Sequence, residues 1–267
     1  MSTSTVVGLA IIAVYVFAAI AADWLPLKNP LQIVGSSRMA GPSWAAPLGS
    51  DSFGRDLLSR IVFGARLSLE VAALSVAAAL VAGSTLGLIA GYAGGLIDQV
   101  IMRTMDVLFA FPAVLLALGV VAALGPNPNN VVIAITVVYT PIFARVVRAP
   151  VLALKEREFV EAARALGARA SRIVAVHVLP NLLSVLIVQA SIALSWAVLT
   201  EAALSFLGLS AQPPTPSWGV MLNEGRQNLE LAPHLAIFPG AAIMLAVLGF
   251  NLLGDGLRDV LDPRLRR

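Results

Sequence analysis

Six apolar runs, each with at most one charge, recur along the chain over 6–22, 67–90, 107–124, 131–147, 182–207 and 235–253. A helix of about 20 such residues spans a hydrocarbon core of roughly 30 Å. Lipid offers no partner for backbone N–H and C=O groups, so only helices or a closed barrel can cross it. These runs are continuous rather than alternating segments of about ten residues, which excludes a barrel. The sequence therefore predicts an all-α integral membrane protein with six transmembrane helices. Composition agrees: 58% of the 267 residues are hydrophobic and 12% are charged, against about 25% charged in soluble domains.

Six spans put both termini on one side. With the termini inside, twelve Lys and Arg lie on the inner side, including Arg103, Arg145, Arg148, five within 155–172 and four in the tail. Six lie outside: Lys28, Arg38, Arg55, Arg60, Arg66 and Arg226. The bias favours cytoplasmic N and C termini, although Arg60 and Arg66 border a span. The net charge of +3 is thus an orientation signal; no aromatic interleaving points to nucleic acid. The first run ends in small residues like a cleavage site. No Lys or Arg precedes it, so an uncleaved first span is expected.

Residues 1–66 are read as that first helix plus an extracytoplasmic segment, and residues 67–267 as a core of five spans. Prolines 26, 30, 42 and 47 make the first half of the outer segment irregular. Asp51 can cap a helix that follows. Asp56 and Arg60 are spaced for an i, i+4 pair, worth about 0.3–0.5 kcal/mol. Leu58, Ile61, Val62 and Ala65 form an apolar edge, so a surface amphipathic helix is expected. In the second span Gly83, Gly87 and Gly91 repeat every four residues, which lets another helix approach closely. A short turn is expected over 91–103, and a kink at Pro112 of the third span.

Several chemistries are absent. There is no Cys, no Gly-Lys-Ser/Thr phosphate loop, no HExxH and no G-x-S-x-G elbow. The chain cannot hydrolyse ATP through a P-loop. Glu201 is the intramembrane acid to explain. It lies about 28 Å beyond Leu182, near the outer end of its span. No ionisable group sits at mid-membrane and no inverted repeat is evident, which weakens the alternative of a stand-alone secondary carrier. A membrane enzyme has no candidate residues.

The longest charged stretch, 155–181, lies between the fourth and fifth spans. Read as a helix or bent pair, it carries Phe159, Ala163, Leu166, Ala170 and Ile173 on one stripe, with Arg157, Glu161, Arg164 and Arg172 opposite. Gly167 interrupts it. A solvated membrane-surface loop is the plain alternative.

Glu161-Ala162-Ala163, then Gly167, then Leu179-Pro180 resembles the EAA loop of ABC-importer permeases, with His177 where that family usually has Ile. Three further stretches resemble the peptide and nickel importer branch, C-type subunit: 47–66 (with Ser50 for Thr), 201–219 and 250–264. The segment from Gly91 to Pro112 is similar too. The resemblance implies the type I ABC-importer permease fold, in the plasma (inner) membrane of a bacterium. It implies a homologous B-type permease, two cytoplasmic ABC ATPase domains and an extracytoplasmic substrate-binding protein as partners. ATP and magnesium would bind those ATPases, with no cofactor in this chain. It makes the 155–180 loop the ATPase-coupling element, with Glu158, Glu161, Ala162, Ala163, Leu166 and Gly167 as its contact residues. Glu201 and Asn251 are the candidates for gating or the substrate path. Dipeptides or short peptides are the implied cargo; nickel chelates, glutathione and opines use similar permeases.

Overall fold

The computed structural model describes residues 3–261. The tail arginines Arg264, Arg266 and Arg267 lie outside the described residues. Among those described, the architecture is helical, with two isolated bridges, Ser43 with Ala46 and Ser50 with Asp56. The helices are α1 (Thr3–Ala21), α2 (Leu57–Ala93), α3 (Gly95–Phe109), α4 (Ala113–Leu124), α5 (Pro128–Leu154), α6 (Glu158–Ala165), α7 (Ala170–Ile173), α8 (Leu179–Phe206), α9 (Trp218–Arg226) and α10 (His234–Leu261). Five stretches are long and apolar enough to cross a membrane: α1, α2, α5, the run Ala170–Phe206, and α10. The α3–α4 pair makes a sixth when its two bent halves are counted as one span.

That pair is bent by 93°, so the third span is not the simple kinked rod the sequence suggested. Pro112 has no N–H to donate and disfavours a helical Phe111 before it, so the chain breaks there. Pro112 instead stands at the start of α4 with an extended ψ of 129°. The expected turn over 91–103 is also shorter than the sequence suggested. Gly94 and Gly95 take φ of +67° and +56°, a region that glycine enters without steric cost, and α3 begins at once.

The surface helix expected over 51–66 and the second span are one 37-residue helix. It runs across residue 66 without a break. Its cap is Asp56, which accepts from Ser59 N at 2.9 Å; Asp51 lies outside it. The expected Asp56–Arg60 pair is replaced. Arg60 instead meets Asp51 at 3.4 Å and Glu224 at 3.2 Å.

At the centre, α2 packs along α5. A Cβ added at Gly83 would lie 2.6 Å from Phe143 Cβ, and one at Gly91 would lie 2.9 Å from Val151 Cβ. The glycine stripe is therefore a helix–helix seam. Tyr139 on α5 and Thr200 on α8 share a hydrogen bond at 3.2 Å. On the other flank α10 packs on α8 and α1. Gly249 faces Ile11, and Tyr15 Oη donates to Ala242 O at 3.1 Å. The bundle has two ends: a near end, where α2 and α5 finish and α8 begins, and a far end, where α9 and residues 22–56 sit.

Candidate functional site

At the near end the segment after α5 folds back as α6. Glu158 and Glu161 fall in its first turn and Arg164 in its last, the order the helix dipole favours. Gly167 ends it at φ +78°. Gly167 N donates to Arg164 O and Ala168 N to Ala163 O, both at 3.0 Å; this is a Schellman stop. α7 then starts a new direction and runs through one wide turn, with Leu179 N donating to Val174 O, into α8. Such i→i+5 turns relax a helix locally.

The single apolar stripe does not survive that stop. Gly167 lets the two helices orient independently, so 3.6-residue spacing is not continuous across it. Val160 and Ile173 are the buried anchors. Phe159 and Leu166 face outward, 44% and 89% exposed. Glu158, Glu161, Ala162 and Gly167 are exposed and Ala163 is half-buried. Neither Glu158 nor Glu161 forms an ion pair among the described residues. The near end thus presents a short helix with two unpaired carboxylates, three small residues and one bare leucine. It is tied at its ends to α5 and α8.

Two ion pairs brace this end. Arg148 on α5 grips Asp98 with both Nε and a terminal nitrogen, each at 2.5 Å. Arg145 reaches Asp106 at 2.8 Å and lies over the Phe109 ring at 4.1 Å. They hold α3 across α5.

At the far end Glu201 is fully buried. Its Oε1 accepts from Ser205 Oγ at 2.7 Å; Ser205 and Ser217 hydroxyls are 3.1 Å apart. Its Oε2 makes no hydrogen bond of ordinary geometry among the described residues, although the Ser68 and Ser210 hydroxyls lie close to the carboxylate. Trp218 N donates to Ser68 Oγ, and its indole N–H donates to Ile61 O. Here α2, α8 and α9 meet, and the Glu201 side chain has no exposed surface. Asn251 is half-buried on α10 and accepts from Ser195 Oγ at 3.1 Å. Glu201 and Ser195 are six residues apart on α8, about 9 Å along the axis. The structure therefore does not bring Glu201 and Asn251 together.

A cluster that sequence spacing did not suggest lies beside them. Arg55 meets Asp51 at 2.5 Å and Glu224 at 3.1 Å; Arg60 meets Asp51 and Glu224 as well. The Arg60 side chain is wholly buried. The available signal was an arginine one turn into an apolar helix, which needs an acid somewhere. Nothing in the sequence pointed to Glu224, 164 residues away.

Residues 83–267 match the family described as "Binding-protein-dependent transport system inner membrane component". The chain belongs to this family. Among its relatives is a dipeptide transport system permease protein DppC of Alkalihalophilus pseudofirmus, 50% identical over 98% of this chain and 86% of the relative. A di/tripeptide transport system permease protein DppC of Pseudomonas aeruginosa is 45% identical over 97% of this chain and 88% of its own. A glutathione transport system permease protein GsiD of Pectobacterium atrosepticum is 52% identical over 85% of this chain and 75% of its own. A solved structure titled as inward-facing conformations of the MetNI methionine ABC transporter superposes with a TM-score of 0.62. It covers 77% of this chain and 98% of the other at 20% identity, and shows the fold of an ABC-importer permease. The chain is thus a multi-pass permease subunit of that fold.

Proposed function

We propose that this permease is one of two transmembrane subunits of an ATP-driven importer of dipeptides or short peptides. The observation that carries the reading is near-full-length identity of 50% to a dipeptide permease. In this reading a homologous B-type subunit supplies the other half of the path. An extracytoplasmic binding protein delivers cargo, and two cytoplasmic ABC ATPase domains bind ATP and magnesium. The complex lies in the bacterial inner membrane with both termini of this chain in the cytoplasm. The near end then faces the cytoplasm, as its basic residues favour.

The coupling step follows from α6. An ATPase groove that takes Leu166 and the small face of Ala162, Ala163 and Gly167 covers exposed apolar surface, while Glu158 and Glu161 meet basic groups on the ATPase. Because α6 is joined to α5 through residues 155–157 and to α8 through α7 and the wide turn, displacement of the ATPase tilts both. Glu201 is assigned to holding the far end closed through Ser205, and Asn251 to the α8–α10 seam along the path.

The similarity to a glutathione permease supports a second cargo of the same chemical kind, a γ-linked tripeptide. Proteoliposomes holding the assembled complex, with binding protein outside and Mg-ATP inside, test both. Uptake of a labelled dipeptide that requires ATP and binding protein is expected. Uptake of glutathione alone transfers the reading to the second cargo; uptake without nucleotide overturns it.

A further inference from the structure

The far end carries a cleft of about 550 Å³ that the coupling scheme does not use. Glu224, Asn223, Asn228, Gln227, Phe53 and Ser205 are among the residues that line it. That volume is within the range of small-ligand sites, roughly 300–1,000 Å³.

The one charged group on its polar wall is the Glu224 carboxylate. Arg55 and Arg60 hold the Glu224 carboxylate from behind, at 3.1–3.3 Å. These contacts are longer than the 2.7–2.9 Å or so of a strong charge-assisted bond. The guanidiniums are 5% and 0% exposed while Glu224 is 22% exposed, so the cleft meets the acid and not the bases. A carboxylate offers about four acceptor positions, and three long bonds from one side leave its front unspent. Asn223 donates its amide to Phe206 O, and Asn228 donates its own to Glu224 O. Each amide has spent one of its two N–H donors on backbone, and its carbonyl oxygen is available to accept. Arg226, the nearest other cation on α9, lies over the Phe206 ring at 5.4 Å and does not line the cleft. Phe53 adds an apolar wall, held under the Arg55 guanidinium at 4.7 Å.

The one charge on this wall is an anchored carboxylate, flanked by amide oxygens that can accept, and that combination fits a cationic donor. An ammonium has three N–H donors and no acceptor. We propose that the cleft receives the amino-terminal ammonium of a short peptide, which makes it a substrate subsite ahead of the pore. This rests on the peptide-import reading and names the part of the peptide that is read.

The test uses the whole complex in nanodiscs, without nucleotide or binding protein, and saturation-transfer NMR with Ala-Ala and N-acetyl-Ala-Ala. Ala-Ala is expected to give a saturable signal and the acetylated peptide none. Gln227→Lys leaves the ion cluster intact and puts a like charge beside the site, so it should weaken Ala-Ala by about tenfold or more. Asn228→Asp should strengthen it severalfold. Equal signals from the two peptides, or a Gln227→Lys complex that binds as well as the parent, overturn the proposal. A third arm adds the binding protein alone. If Ala-Ala gives no signal while the two substitutions shift binding-protein docking in opposite directions, the cleft reads a lysine of that protein and the substrate assignment falls. A complex that imports Ala-Ala but shows no acetyl-sensitive binding overturns this inference alone. One that imports no peptide overturns the functional reading, whatever the cleft does.

Discussion

Gly87 of α2 lies directly against Val147 of α5: a Cβ on the glycine would sit 2.9 Å from the valine Cβ. The seam has no room for a methyl group, so Gly87→Ala must push the two helices apart. Overpacking of this kind costs about 1–3 kcal/mol. Gly119 on α4 is the control, since nothing lies within 4 Å of its added Cβ. Thermal unfolding in detergent should place the Gly87→Ala protein several degrees below the parent and Gly119→Ala level with it or above. Equal melting of all three would remove the seam from the account.

The far-end cluster makes a prediction of unequal substitutions. Arg60→Ala leaves Asp51 and Glu224 facing each other with one arginine fewer in a buried site. Breaking a buried pair in this way costs about 3–5 kcal/mol. Replacing both partners by apolar residues of similar size, Arg60→Met with Glu224→Leu, should cost less than the single change, because no charge is stranded. Melting temperatures of the two variants settle the order.

Leu166 and Glu161 predict loss of coupling without loss of fold. Leu166 is 89% exposed and Glu161 is unpaired among the described residues, so neither change should move the melting temperature of the isolated subunit. Covering a leucine contributes about 1.5–3 kcal/mol, and Leu166→Ser should weaken capture of the ATPase by about tenfold or more. Glu161→Lys reverses a contact charge and should cut ATP-driven uptake by a similar factor. Intact uptake in both variants would remove α6 from the coupling path.

These sites show which parts of the molecule could be read in advance. The spans were legible because lipid imposes length and apolarity on a helix, and the glycine seam because spacing of four puts three small residues on one face. The charged segment between α5 and α8 was legible as a short helix stopped at Gly167, yet its stripe was not, since the left-handed turn at Gly167 resets helical phase. The long α2 was misread as two elements. Its cap Asp56 and first-turn Arg60 look like a surface helix until Glu224 arrives from another part of the chain to pair with the arginine. Local spacing favoured the Asp56–Arg60 pair; tertiary structure spent Asp56 on the cap and on Lys28. The bend at Pro112 was visible as a breaker, but its size of 93° was not, since a proline fixes where a helix stops and not the direction of the next one.

The stop at Gly167 separates two ideas of the loop, a passive tether and a shaped lever. With φ at +78°, an L side chain is strained there by about 1–2 kcal/mol. α6 has one buried anchor, Val160, so it will re-aim rather than force the bundle to unfold. Gly167→Ala should therefore leave the melting temperature of the assembled complex nearly unchanged while ATP hydrolysis continues and peptide imported per ATP falls. Gly167→Asn is the control, because asparagine tolerates the left-handed region and should retain more of the import ratio than alanine. A lever needs that rank order of glycine, asparagine and alanine. A tether predicts the same import per ATP for all three, and that result would leave α6 as a docking patch with no role in direction.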